Sequence, residues 1–145
     1  MSCAVAPVAV GTVIGQRLRD NVPAPRVVKP SVMPKIKSIS LLTRKPGLTH
    51  EQFMKHWFEI HAPLALKVPG IRRYVQTHIL DERKRADILS TDVDIDGIAE
   101  LWYDSREAML QSAATPEAKA LYADGALFIG SIKSFITEEK QIIPA

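Results

Sequence analysis

Residues 49–64, with the sequence THEQFMKHWFEIHAPL, decide the fold predicted for this chain. Thr49 is a favourable N-cap, and Gln52 stands three residues later, so the pair predicts a capping box at the start of a helix. Pro63 lacks a backbone N–H, so we expect the helix to end or restart there. The stretch therefore predicts one capped helix that reaches the neighbourhood of Pro63.

An apolar edge runs along this predicted helix. Phe53, Trp57 and His61 recur at four-residue spacing, which places them one above the other on an α-helix. Phe58 widens the apolar face. We therefore expect His61 to lie beside Trp57 on the buried side of the helix.

Segments typical of β-strands stand on both sides of the helix. They cover residues 36–43, 71–80, 95–103 and 131–137, and a second helical region follows residue 105. The order β-α-β-β-α-β is that of the α+β ferredoxin-like fold, an antiparallel four-stranded sheet with both helices on one face. The other face would be open in a monomer, so we expect a homodimer in which two sheets pack together.

The first 35 residues differ in composition from the rest of the chain. Five of the ten prolines fall in the first 34 residues, which predicts an irregular Pro-rich N-terminal arm over residues 1–35. Residues 36–140 are then one folded domain, and residues 141–145 are a C-terminal tail. The net charge is +3, but the arm holds five basic residues and one acidic residue. The folded part is nearly neutral and lacks the footprint of a nucleic-acid-binding domain.

The sequence also indicates the cellular compartment in which the protein is expected. No run of residues approaches the roughly 18 apolar positions that would suggest a membrane span. The single cysteine, Cys3, cannot form an intramolecular disulfide, which makes a reducing compartment the default. We therefore expect a cytoplasmic protein that has neither a membrane nor a nucleic acid as its partner.

Four blocks of the chain resemble the EthD family. They are residues 49–64, 69–74 (PGIRRY), 96–103 (DGIAELWY) and 128–139. The resemblance covers about residues 36–140 and implies the dimeric α+β barrel fold, with a pocket between the helices and the sheet. The second and last blocks are similar to the methylmuconolactone methylisomerase branch, whose histidine at the end of the first helix falls on His61. That branch has a cysteine where this chain has Leu101.

His61 is the first catalytic candidate. Imidazole titrates near pH ~6.5, so it can take or give a proton at cellular pH. Partial burial beside Trp57 would favour the neutral base. The alternative is a histidine that only hydrogen-bonds the end of the helix.

Glu100 is the second catalytic candidate. It lies in an otherwise apolar strand between Ile98 and Trp102, where an ionised carboxylate needs a partner. His61 is one expected partner, which would divide or orient acid and base roles. A structural salt bridge to Arg72 or Arg73 is the alternative.

Substrate-binding residues are predicted from the helix edge and the alternating strands. They are Trp57, Tyr74, Gln76, His78, Trp102 and Ser40. Aromatic walls suit the body of a small hydrophobic or aromatic substrate, and a few polar groups fix its orientation. A polar patch inside the dimer interface is the alternative interpretation.

The sequence offers no cofactor motif. It contains no G-x-G-x-x-G, no P-loop and no H-E-x-x-H. His50 and His56 are six residues apart, so they do not share a helix face, and we expect them to be exposed. No metal site and no cofactor are predicted, although haem binding in related barrels keeps His61 or His78 open as an axial ligand.

The leading hypothesis is a cofactor-free isomerase, cyclase or lyase that uses histidine acid–base chemistry. Its substrate would be a small aromatic, lactone or polyketide-like metabolite. One alternative is a non-catalytic protein that binds a hydrophobic metabolite or assists an oxidative degradation pathway. The other is a cofactor-independent monooxygenase.

Overall fold

The computed structural model describes residues 36–143. In chain order its elements are β1 (Ile36–Arg44), α1 (His50–His56), a π-helical turn (Trp57–His61), α2 (Ala62–Ala65), β2 (Arg73–His78), β3 (Gly97–Tyr103), α3 (Arg106–Ala113), α4 (Pro116–Phe128) and β4 (Ile129–Thr137). This order confirms the β-α-β-β-α-β prediction, with each helical part built from more than one segment. The predicted arm over residues 1–35 and the last two residues of the tail lie outside the described residues.

The four strands form one antiparallel sheet in the order β2-β3-β1-β4. β1 is central, so that Ser40 lies opposite Ala99 on β3 and opposite Ser134 on β4. The strand order and directions are those of the ferredoxin-like fold, which confirms the predicted α+β class. β2 and β4 are the two edges.

The sheet has an inner face, which the helices cover, and an outer face. Leu42, Tyr74 and Ala99 belong to the inner face, where they pack with the helix residues of the core. Side chains alternate along a strand, so Glu100 and Trp102 belong to the outer face, where both contact Lys37. The alternation predicted for β2 and β3 is present, but the outer face is the one that carries these two residues.

The main core lies between the first helix, the end of α4 and the inner face. Phe53, Trp57 and Phe128 are each at most 1% exposed. The ring centroid of Phe53 lies 5.7 Å from that of Trp57 and 5.2 Å from that of Phe128. Gly97 permits this packing, because a Cβ at that position would lie 2.4 Å from Trp57 Cζ3.

The first helix begins as predicted. Thr49 Oγ1 accepts the N–H of Gln52 at 3.1 Å, and Gln52 Oε1 accepts the N–H of Thr49 at 2.9 Å, which confirms the capping box. The helix restarts as α2 with Pro63 in its first turn, where the missing N–H is tolerated. Within residues 36–143, no helix is long and apolar enough to cross a membrane.

A π-helical turn separates α1 from α2. The N–H of Ala62 donates to the carbonyl of Trp57, five residues earlier. Residues five apart on an α-helix project about 140° from each other, and the wider π turn reduces that angle. His56 and His61 are thereby brought to one side of the helix, where both contact α4.

The predicted limits of the other elements need small corrections. β2 is shorter than residues 71–80, because its ladder with β3 runs only from Arg73 to His78. β4 starts two residues earlier than predicted, at Ile129. The helical region predicted after residue 105 is confirmed, and it consists of two helices, α3 capped by Ser105 and α4 capped by Thr115.

Candidate active site

A cavity of about 450 Å³ lies between the inner face of the sheet and the helices. This volume is within the range of small-molecule sites. The sheet contributes Ser38, Ser40, Leu42, Tyr74, Ala99, Leu101, Tyr103, Ser131, Ile132 and Ser134. The helical side contributes Trp57, His61, Ala65, Val68, Ser112, Ala118, Leu121, Tyr122, Gly125 and Ala126. The lining is predominantly apolar, and His61 is its one imidazole among the described residues.

His61 is the last residue of the π turn. Its side chain lines the cavity and hydrogen-bonds to α4. It is 9% exposed, and its Nδ1 lies 2.7 Å from Oδ2 of Asp124. An ionised carboxylate only accepts hydrogen bonds, so the proton of the neutral imidazole is on Nδ1. Nε2 is then unprotonated and has the free lone pair that a general base needs.

The charge state of His61 follows from its surroundings. Burial lowers the pKa of His61 below its ordinary value of 6.5, and this effect outweighs that of the hydrogen bond donated to Asp124, which raises the pKa. A nearby charge on His56 lowers the pKa further. At neutral pH the imidazole is therefore uncharged, as the sequence predicted for a partly buried histidine.

His56 shares the same carboxylate. Its Nε2 lies 3.0 Å from Oδ1 of Asp124, and its ring stacks on Phe128 with centroids 4.5 Å apart. The prediction that His56 is exposed is wrong, because the π turn directs it towards α4. Within residues 36–143, no group of three or more His, Cys, Asp or Glu side chains is placed to hold a metal ion.

Asp124 is the site residue that the sequence interpretation missed. It lies in the middle of α4, and its carboxylate joins that helix to both ends of the π turn. The available signal was a lone acidic residue within the apolar run LYADGALF. His50 was also expected to be exposed, and its side chain remains 42% exposed, although its Nδ1 lies 2.7 Å from Oδ1 of the buried Asp96.

Glu100 does not meet His61, so the predicted catalytic pair is wrong. Its carboxylate lies on the outer face, 2.6 Å from Lys37 Nζ, and accepts a hydrogen bond from Thr77 at 2.8 Å. These partners hold the pKa of Glu100 below its usual range against the opposing effect of burial. The alternative prediction of a structural salt bridge is correct, but Glu100 pairs with Lys37 on β1 and not with Arg72 or Arg73.

Trp102 is likewise outside the cavity, which corrects its prediction as a substrate-binding residue. Its indole Nε1 donates to Glu139 Oε2 at 2.8 Å. Lys37 Nζ and the Arg73 guanidinium lie 4.5 and 4.6 Å from the ring centroid. The same strand alternation that takes Glu100 to the outer face takes Trp102 there as well.

Three of the predicted substrate contacts, Trp57, Tyr74 and Ser40, do line the cavity. The Trp57 indole N–H donates to Tyr74 Oη at 3.0 Å. Burial raises the pKa of Tyr74, so its phenol stays protonated at cellular pH. Because the oxygen accepts from its neighbours, the phenolic hydrogen is free to be donated to a bound molecule.

Gln76 and His78 support the cavity wall from behind and are not among its lining residues. Gln76 Nε2 donates to the Trp57 carbonyl at 2.8 Å and to Tyr74 Oη at 3.0 Å. His78 stacks on the Trp57 indole at 5.0 Å and hydrogen-bonds Gln76 Oε1. Their prediction as direct substrate contacts is therefore corrected to a role in fixing the aromatic wall.

The chain belongs to the EthD family, because the EthD domain model matches residues 45–131. This confirms the family predicted from the four sequence blocks. A 4-carboxymethyl-4-methylbutenolide mutase of Pseudomonas reinekei is 30% identical over 105 residues, which are 72% of this chain and 97% of that protein.

Solved structures support the same fold. An EthD family protein of Bacillus halodurans c-125 superposes with a TM-score of 0.59 at 30% identity, covering 73% of this chain and 99% of that one. A protein of Bacteroides fragilis, described as dimeric and ferredoxin-like, superposes with a TM-score of 0.54 at 16% identity, covering 72% and 95%. The second similarity bears on the fold alone.

Proposed function

We propose that this protein is a cofactor-free isomerase of a small lactone, aromatic or polyketide-like metabolite, with His61 as its general base. The observation that carries the proposal is the hydrogen bond of 2.7 Å between His61 Nδ1 and Asp124 Oδ2 at the wall of an apolar cavity. A carboxylate behind an imidazole fixes its tautomer and supports the positive charge that the ring acquires on accepting a proton.

The first step is the transfer of a proton from a substrate carbon next to a carbonyl group to Nε2 of His61. The C–H bond breaks, its electron pair forms an enolate, and the ring becomes an imidazolium that faces Asp124. Such proton transfer by a positioned residue contributes about 10²- to 10⁴-fold to the rate. The negative charge collects on the carbonyl oxygen, where the phenolic hydrogen of Tyr74 is a suitable donor.

The second step returns the proton from Nε2 to a different carbon of the same conjugated enolate. His61 is again neutral, and the product has the same atoms as the substrate with its double bond moved. The apolar lining from Trp57, Leu121 and their neighbours surrounds the enolate, while the proton on Nε2 exchanges with solvent before it is returned to carbon. The reaction is therefore an isomerisation that needs no oxidant and no co-substrate.

The relative from Pseudomonas reinekei supports both the reaction class and the type of substrate. Its name describes a mutase that acts on a butenolide, which is a small unsaturated lactone. In a butenolide, a proton on a carbon between the lactone carbonyl and the double bond is acidic enough for an imidazole base. This makes butenolides the first substrates to be tested.

We also propose that the protein is a homodimer joined through the outer face of the sheet. Phe135 on β4 is 44% exposed on that face, and Val75 on β2 and Ile98 on β3 lie on the same face of the sheet. Apolar groups presented together on an open sheet favour burial against a second sheet. Light scattering on the purified protein should give twice the mass of 16.1 kDa, and Phe135→Asp should shift it towards the monomer.

The proposal is tested by incubating the protein with butenolides and simple phenolic aldehydes in deuterated water. A histidine-dependent isomerase should convert one of them and place deuterium at the reacting carbon, and His61→Gln should abolish both. The control is His50→Gln, which removes a histidine that bonds Asp96 outside the cavity. Binding without conversion or exchange would instead indicate an accessory protein, and product formation that consumes oxygen would indicate a monooxygenase.

A further inference from the structure

A hydroxyl patch lies on the floor of the cavity. Ser40 Oγ and Ser134 Oγ are 2.7 Å apart across the β1–β4 pair, and either one can be the donor. Whichever hydroxyl accepts, its own hydrogen remains available to a bound molecule. Ser38 is two residues along β1 on the same face and also lines the cavity. The patch therefore suits the oxygen of a carbonyl or hydroxyl group.

Positive charge is absent from the described lining of this cavity, which holds neither lysine nor arginine. The reason is the strand alternation, because Lys37, Arg73 and Lys133 each directly precede an inward-facing residue and so point outward. Arg44, at the end of β1, is paired with the buried Asp96. A carboxylate in the cavity would thus meet hydroxyls but no cation in the described part of the chain.

The charged group next to the cavity is a carboxylate, which repels an anionic ligand. The Asp124 carboxylate is bonded to His61, which is itself uncharged at neutral pH because burial lowers its pKa. Transfer of an ionised group from water into an apolar site is costly unless an opposite charge compensates it. A neutral ligand of the same shape avoids that cost.

We infer that the cavity takes an uncharged substrate in which a second oxygen, of a carbonyl or hydroxyl group other than the carbonyl that faces Tyr74, binds the Ser38, Ser40 and Ser134 patch, while the apolar body lies against Trp57. The inference rests on the proposed function and narrows its substrate class. It also separates this chain from its Pseudomonas reinekei relative, whose name describes a carboxymethyl-bearing butenolide.

Matched pairs of ligands test the inference on the full chain. The pairs are 4-carboxymethyl-4-methylbutenolide and its methyl ester, and 4-methylbenzoic acid and its methyl ester. Titration calorimetry at pH 7.5 should give a dissociation constant at least about tenfold lower for an ester than for its acid. The inference is overturned if the acids bind as tightly as the esters, or if no ester binds at millimolar concentration.

Variants test whether the serine patch contributes to the binding of the esters. Ser40→Ala and Ser134→Ala should weaken ester binding by about three- to tenfold, as expected for the loss of one hydrogen bond. The matched control is Ser90→Ala, in an exposed loop, which should bind the ester like the original protein. Equal ester affinity in all three variants would contradict the role of the hydroxyls. Neither ester has the acidic C–H and conjugated double bond that the proposed isomerisation needs, so ester binding tests this inference alone, and conversion of a butenolide in deuterated water tests the isomerase.

Discussion

His61 and Asp124 are joined by a hydrogen bond of 2.7 Å that ties the π turn to the middle of α4. The bond settles two properties of the imidazole at once. It puts the ring proton on Nδ1 and leaves Nε2 as the basic atom, and it opposes the decrease in pKa that burial causes. Removing the carboxylate should therefore change both the rate and its pH dependence.

Asp124→Asn should lower turnover by about 10- to 100-fold, as is typical when the group that orients a functional histidine is lost. The amide carries no negative charge to raise the pKa of His61, so that pKa should fall further. Steady-state kinetics and an NMR titration of the His61 ring would measure the two effects. The control is Glu117→Gln on the exposed side of α4. A variant with full turnover would remove Asp124 from the mechanism.

His56→Gln tests whether the second histidine on the carboxylate only positions it. Charge on His56 lowers the pKa of His61, so the substitution should raise that pKa and move the acidic limb of the pH–rate profile to higher pH. The glutamine amide still offers a donor to Asp124, so turnover at pH 8 should change by less than about tenfold. An unmoved acidic limb would contradict the coupling between the two histidines.

Local features of the site were predictable from the sequence. The capping box at Thr49 and the four-residue spacing of Trp57 and His61 depend on neighbours in the chain, and they correctly placed an imidazole on the buried edge of the first helix. Asp124 was not predictable in this way, because it reaches the histidines only after α4 docks and the π turn rotates them.

Glu100 shows a second limit of sequence patterns. The alternation along β3 correctly grouped Glu100 with Trp102 and separated both from Leu101. A period of two assigns residues to two faces but does not say which face the helices cover. That choice depends on contacts between distant segments, and here the helices cover the face of Leu101.

Glu100→Gln is therefore expected to leave turnover within about twofold of the original, because Glu100 is not among the residues that line the cavity. The side chain faces Lys37 on the outer face and cannot reach His61. Steady-state kinetics of Glu100→Gln and of His61→Gln, compared at the same dimer content, would measure the effect on turnover. A loss of turnover as large as that of His61→Gln would support the original prediction that Glu100 and His61 act as a catalytic pair.

Acidification should reduce both activity and stability through His61. The base must be neutral, so the rate should fall as the pH drops through the folded-state pKa, which lies below 6.5. Because that pKa is lower in the folded than in the unfolded chain, the unfolded state binds the proton first. The contribution to stability is present above about pH 6.5 and is lost progressively below it. Urea unfolding at pH 7.5 and 5.5 should show a smaller pH effect in His61→Gln than in the original.

Gly97→Ala should destabilise the fold by about 1–3 kcal/mol, the usual cost of overpacking a core. The new Cβ would lie 2.4 Å from Trp57 Cζ3, and Trp57 cannot retreat because its indole N–H is bonded to Tyr74 and its ring packs on Phe53. The comparison is Gly125→Ala in α4, whose Cβ would meet its nearest neighbours at 3.5 Å. That substitution should be neutral or stabilise the helix by up to about 1 kcal/mol. Urea unfolding of both variants measures the difference, and equal stability would mean that the tryptophan wall yields to the methyl group.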